Sequence, residues 1–117
     1  MRQDERDLEQ LHVILRYCAR LDAAQKKFDC DYRVFEEDTV YQDSCALCII
    51  QIGEAVHRLS NAFTAAHPEI DWNRIYGMRC HLVHGYEMFD AEIVWDAMET
   101  GIPPLRAFCE QMTGAKR

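Results

Sequence analysis

Between Asp38 and Ala65 apolar residues recur on two sides of one helical period. Cys45, Cys48, Ile49, Ile52, Val56, Leu59 and Phe63 mark one face; Val40, Leu47 and Ile50 mark a second. A helix apolar on two sides has to be central, covered by neighbouring helices or by another subunit. Gly53 in its middle gives up ~1 kcal/mol of helix propensity relative to alanine. That predicts a close helix approach at this point, with a dimer interface as one place for it. Glu54, next to the glycine, would then be partly buried and in need of a cationic partner. Arg79 is the candidate.

The rest of the chain is punctuated as helices. From residue 4 to about residue 27, Leu8, Leu11, Leu15, Cys18 and Leu21 recur at steps of three and four, forming one apolar stripe. Residues 29–38 form a short acidic helix or loop whose acids suit a helix start rather than a metal. Pro68 biases His67 away from helix, and Asp71 is placed to cap the next one. Gly85 is placed to stop that helix in a left-handed conformation. Asp90 can cap a helix carrying Ile93, Val94, Ala97 and Met98, with Gly101 as its stop. Pro103 and Pro104 open a last short helix with Leu105, Phe108 and Met112. Gly114 to Arg117 read as a frayed tail. With no strand alternation, repeat or glycine-rich phosphate loop, the expected fold is an all-α, up-and-down helical bundle.

At 117 residues the chain is expected to form one domain spanning 1–117, small enough for oligomerisation to matter. No apolar run approaches the ~20 residues that span a bilayer. The charged start, Met1-Arg2-Gln3-Asp4-Glu5-Arg6, does not resemble a secretory signal, so a cytoplasmic location and no membrane partner are expected. The net charge of −7 argues against a broad nucleic-acid-binding surface, which would be basic, but leaves room for a small basic pocket around one phosphate. The six cysteines read as reduced, mostly buried thiols. Cys45-Ala46-Leu47-Cys48 is a CxxC, but it lies inside a helix without the strand of a redox motif. With His81 or His84 it still lacks the spacing of a typical zinc set. No metal and no cofactor are expected; a plain helical oligomer with a zinc site is the weakest of the readings considered.

The chemistry concentrates in Met78-Arg79-Cys80-His81-Leu82-Val83-His84-Gly85-Tyr86. An arginine is a permanent cation that fits phosphate oxygens, and a histidine moves protons near neutral pH. Five residues of helix turn through about 500°, so Arg79 and His84 would stand roughly 140° apart with a rise of roughly 7.5 Å. Arg79 and Tyr86, seven apart, would share a face. Arg79 and His84 can cooperate in two ways. The helix unwinds at His84-Gly85, or two copies meet across a two-fold axis so that the motifs complete a joint cleft.

The spacing Arg, four residues, His, one residue, Tyr resembles the signature of the HEPN superfamily, in particular its HepT-like branch. The resemblance extends through Ile52-Gly53-Glu54-Ala55, Pro68-Glu69-Ile70-Asp71-Trp72, Phe89-Asp90, Val94-Trp95 and Pro103-Pro104-Leu105, almost the whole chain. It implies a homodimeric toxin, a metal-independent endoribonuclease acting on RNA and not DNA. His84 would take the 2′-hydroxyl proton and Arg79 would stabilise the phosphoryl oxygens. His81 would be a neighbour or general acid, and Glu54 a supporting residue. The resemblance also implies neutralisation by an MntA-like minimal nucleotidyltransferase antitoxin that nucleotidylates (AMPylates) Tyr86. One position departs from the pattern: a small polar residue, often asparagine, usually follows the arginine, and here it is Cys80, a poorer hydrogen-bond donor. The acidic balance and Cys80 keep a second reading open, a catalytically inactive acceptor module for that nucleotidyltransferase.

Overall fold

A computed structural model describes residues 2–115. The described residues contain helices and no strand, in an all-α arrangement. The helices are α1 (Gln3–Lys27), α2 (Tyr32–Glu37), α3 (Thr39–Arg58), α4 (Asn61–Ala66), α5 (Trp72–His84), α6 (Ala91–Asp96) and α7 (Ile102–Thr113). A 3₁₀ turn (Tyr86–Met88) follows α5, and a π-helical turn (Ala97–Gly101) joins α6 to α7.

The helix α3 is central: α1 and α5 pack along it, and α7 packs on α1. Its first predicted face is the core. Cys45, Ile49 and Ile52 are fully buried against Leu11, Ile14, Cys18 and Leu21 of α1 and Leu105 and Cys109 of α7. On α1 the buried stripe is centred on Ile14, while Leu8 at its edge is largely exposed. The second predicted face of α3 is only partly covered within the protomer: Ile50 is half-buried against the core, while Val40 is 65% exposed and Leu47 54%.

Three aspartates start helices as their spacing predicts. Asp38 accepts from Tyr41 N (3.1 Å), Asp71 from Arg74 N (3.0 Å) and Asp90 from Ile93 N (3.2 Å). Each satisfies one of the orphan N–H groups of a first turn.

Three boundaries differ from expectation. The long helix ends at Arg58, not near Ala65. Asp7, 5% exposed on α1, accepts from both Ser60 N (2.8 Å) and Ser60 Oγ (2.7 Å). That holds Leu59 and Ser60 in extended backbone, and Ser60 Oγ then caps α4 by accepting from Phe63 N (3.1 Å). Gly85 adopts φ −136°, not the left-handed region, because the chain enters the 3₁₀ turn directly, with Met88 N donating to Gly85 O (2.8 Å). Gly101 does not stop a helix. Pro103 and Pro104 have no N–H to give to the preceding turn, and the ladder widens into one π turn that carries the chain through. Arg74 of α5 fastens that turn, its Nη2 donating to Asp96 Oδ2 (3.0 Å) and Thr100 Oγ1 (2.7 Å). Gly114, at φ 74°, ends α7 in a left-handed cap; Lys116 and Arg117 of the expected tail lie outside the described residues.

Candidate active site on helices α3 and α5

The site begins with the glycine. A Cβ built on Gly53 would stand 2.3 Å from Arg79 Cβ and 2.9 Å from its Cγ. The hydrogen-only side chain therefore lets the arginine stem lie directly on the α3 backbone. The close approach expected at Gly53 is made within one chain, between α3 and α5. From there the guanidinium turns along α3, and its Nε donates to Glu54 Oε1. The two side chains are 20% and 27% exposed, so the pair is partly shielded from water. Using Nε for the carboxylate leaves the terminal nitrogens directed away from Glu54. Of these, Nη1 lies 3.8 Å from Cys80 Sγ. Contact with Cys80 and then Glu54 holds the guanidinium above its ordinary pKa. Arg58, one turn on, reaches the second Glu54 oxygen at 4.0 Å.

A second rung lies beside this pair. His57 and Tyr76 stack with ring centroids 4.5 Å apart and planes 10° from parallel. The Arg79 guanidinium carbon is 5.6 Å from the Tyr76 centroid. Neither ring is singled out by the motif spacing. They become visible only once α3 and α5 are set antiparallel with Gly53 against Arg79.

The predicted base is not brought to this pair. The α5 helix stays intact through His84, and Gly85 N still donates to His81 O at 2.9 Å. The helix has not unwound to swing the imidazole round. Arg79 faces α3, while His84 is exposed about 140° further round. His81 is half-buried, and its Nε2 is enclosed without a hydrogen-bond partner among the described residues. That nitrogen is not open to a leaving group.

Tyr86 faces α3 as Arg79 does, but at another station. From the 3₁₀ turn its hydroxyl donates to Asp43 Oδ1. Asp43 precedes Glu54 by eleven residues, roughly 16 Å along α3. Burial, and then the Asp43 hydrogen bond, push the phenol pKa well above 10, while the residue remains 38% exposed. Asp43 is a partner that no spacing in the sequence pointed to.

The CxxC lies elsewhere. Cys45 and Cys48 are buried in the core, and burial pushes the Cys45 thiol up to about 12. Among the described residues no three His, Cys, Asp or Glu side chains converge as a metal site would require. Among the same residues no helix is long and apolar enough to cross a membrane.

The fold and site thus define a small all-α bundle with an arginine clamped between two antiparallel helices and a histidine closing the same helix. The sequence profile of the ribonuclease HepT-like family matches residues 14–112, and the chain belongs to that family. It is similar to a protein of Thermococcus cleftensis named probable ribonuclease HepT, 36% identical over 61 residues, 52% of this chain and 56% of that one. A protein of Caldanaerobacter subterraneus with a provisional RNase name is 34% identical over 71 residues, 61% of this chain and 63% of its own. A third, from Methanocaldococcus jannaschii and also provisionally named an RNase, is 29% identical over 84 residues, 72% of each chain. The first two matches thus span somewhat over half of those relatives' lengths. No solved structure matches the chain at a significant level.

Proposed function

We propose that the chain is a metal-independent endoribonuclease of the toxin kind that works as a homodimer in the cytoplasm. The observation that carries this reading is the division of labour along α5. Arg79 is held on the α3 side by Glu54, with its terminal nitrogens left for a phosphate, and His84 is exposed on another side of the same helix. One protomer cannot bring both to one phosphodiester. A second copy can, because a two-fold axis places the same patch on both subunits. The uncovered side chains Val40 and Leu47 of α3 and Val83 of α5 supply the apolar surface for that pairing.

In the joint cleft, His84 Nε2 or Nδ1 accepts the proton of the ribose 2′-hydroxyl. The 2′-oxygen attacks the adjacent phosphorus, and the bond to the 5′-oxygen breaks. The products are a 2′,3′-cyclic phosphate and a 5′-hydroxyl, which takes up a proton. Arg79 neutralises the charge that builds on the phosphoryl oxygens. Its guanidinium enters the reaction already oriented by Glu54, so little freedom is lost at the transition state.

Tyr86 is the acceptor for a minimal nucleotidyltransferase antitoxin. The Tyr86 hydroxyl attacks the α-phosphorus of a nucleoside triphosphate held by that enzyme, loses its proton, and pyrophosphate leaves; the new negatively charged phosphodiester on the α3–α5 surface covers the cleft. The alternative, a silent acceptor module, draws on Cys80 and the net charge of −7.

The test is incubation of purified protein with end-labelled RNA in EDTA. Cleavage that is lost in both Arg79→Ala and His84→Ala supports the enzyme. Intact RNA, together with a nucleotidyl mass increment on Tyr86 after co-expression with a minimal nucleotidyltransferase of the MntA kind, supports the acceptor module.

A further inference from the structure

Resting on the ribonuclease reading, we propose that His57 and Tyr76 form a base-stacking subsite that holds one nucleobase of a single-stranded RNA beside the phosphate at Arg79. The ladder between α3 and α5 has two rungs, Glu54 with Arg79 and His57 with Tyr76. They are about one helical turn apart, roughly 5 Å, which is comparable to the reach from phosphate to base within one nucleotide. One rung presents a guanidinium and the other presents flat rings.

The ring pair has the form a stacking platform needs. Its planes are within 10° of parallel. Tyr76 is half-buried against the core and fixes the platform's position. His57 is exposed, and apart from Tyr76 its ring meets no aromatic or hydrogen-bond partner among the described residues. A base laid on the outer face of His57 extends the stack to three rings. Packing alone does not call for this arrangement, since an aliphatic side chain would shield Tyr76 equally well.

The charge distribution points the same way. The chain carries a net −7, yet this patch holds two guanidiniums, Arg58 and Arg79, around a single carboxylate, Glu54. Cations beside stacked rings are the means by which proteins hold single strands, and stacking tolerates any base while favouring those that stack best. The subsite therefore predicts a preference for purines at the nucleotide next to the cut.

The experiment compares wild type, His57→Leu, Tyr76→Leu and His57→Phe on a labelled single-stranded RNA. Removing either ring should raise KM roughly five- to fifty-fold, with the loss falling on KM rather than kcat, and should flatten the base preference. His57→Phe restores a ring and should recover most of both. An abasic nucleotide next to the cut should weaken wild type by the same factor and add little to His57→Leu. An unchanged KM and cleavage pattern in His57→Leu, or an abasic effect that adds fully to it, overturns the subsite. A second measurement does not depend on cleavage: a 2′-O-methyl oligonucleotide carrying 2-aminopurine should be quenched by wild type and not by His57→Leu. If wild type leaves RNA intact but quenches in this His57-dependent way, the ribonuclease reading fails and the subsite stands. Absence of quenching by wild type overturns the subsite itself. Thermal melts of the variants separate a lost ring from a lost fold.

Discussion

Gly53 and Arg79 share space that any other residue at position 53 would have to contest: a Cβ there would stand 2.3 Å from the arginine's own Cβ. Ordinarily a glycine inside a helix is improved by alanine, by about 1 kcal/mol. Here the added methyl presses on the root of a side chain, where no torsion can carry the neighbour away. Overpacking costs about 1–3 kcal/mol, so Gly53→Ala is expected to lower stability and to displace Arg79. Urea unfolding should show a lower midpoint with unchanged slope, and RNA cleavage should fall with it.

Asp7 sets the end of the central helix from 53 residues away, and its loss should be felt throughout the bundle. Removing it leaves the Ser60 N–H without its acceptor and loosens the α4 cap. We expect Asp7→Ala to destabilise by about 2–4 kcal/mol, the sum of an orphaned buried donor and a weakened cap. Asp7→Asn keeps an acceptor and should lose less. Thermal unfolding of the two variants measures the difference.

The Tyr86 phenol is held above the ordinary tyrosine value of 10 by burial and by Asp43. The folded state therefore holds this proton more tightly than the unfolded chain. The contribution to stability is complete below pH 10 and is lost as pH rises past the unfolded value toward the folded one. Tyr86→Phe should reduce the fall in stability above pH 10. The same variant should remove the nucleotidyl mass increment and leave RNA cleavage in place.

Leu47, 54% exposed on the partly covered side of α3, should discriminate the paired from the single protomer. In the proposed dimer, where this side is the paired surface, Leu47→Glu would put an unpartnered acid of each protomer into the contact. It should give monomers in analytical ultracentrifugation, with cleavage reduced at least ten-fold while the thermal midpoint of the protomer changes little. A monomeric wild type that cleaves RNA would remove the need for the joint cleft.

Much of this architecture is legible from local chemistry. Asp38, Asp71 and Asp90 each precede an apolar-periodic run and each caps the helix that follows, because a cap is made by neighbours in sequence. The pairing of Glu54 with Arg79 is also legible, since a glycine in a central helix implies close approach and a carboxylate beside it requires a cation. The stop at Leu59 and the continuation of the helix through Gly101 were not. The first depends on Asp7, and the second on how two prolines and Arg74 share the load on one turn.

From the order of residues alone came the helical period, the central place of α3, and the arginine, histidine and tyrosine within nine positions. These follow from side-chain type and spacing, which act over one or two turns. Only packing decided that Gly53 meets Arg79 within the chain, that Tyr86 reaches Asp43 while Arg79 reaches Glu54, and that His57 lies flat on Tyr76. Those contacts join residues 19 to 43 positions apart. Their geometry is set by how two antiparallel helices slide and rotate against each other, and no local rule carries that information.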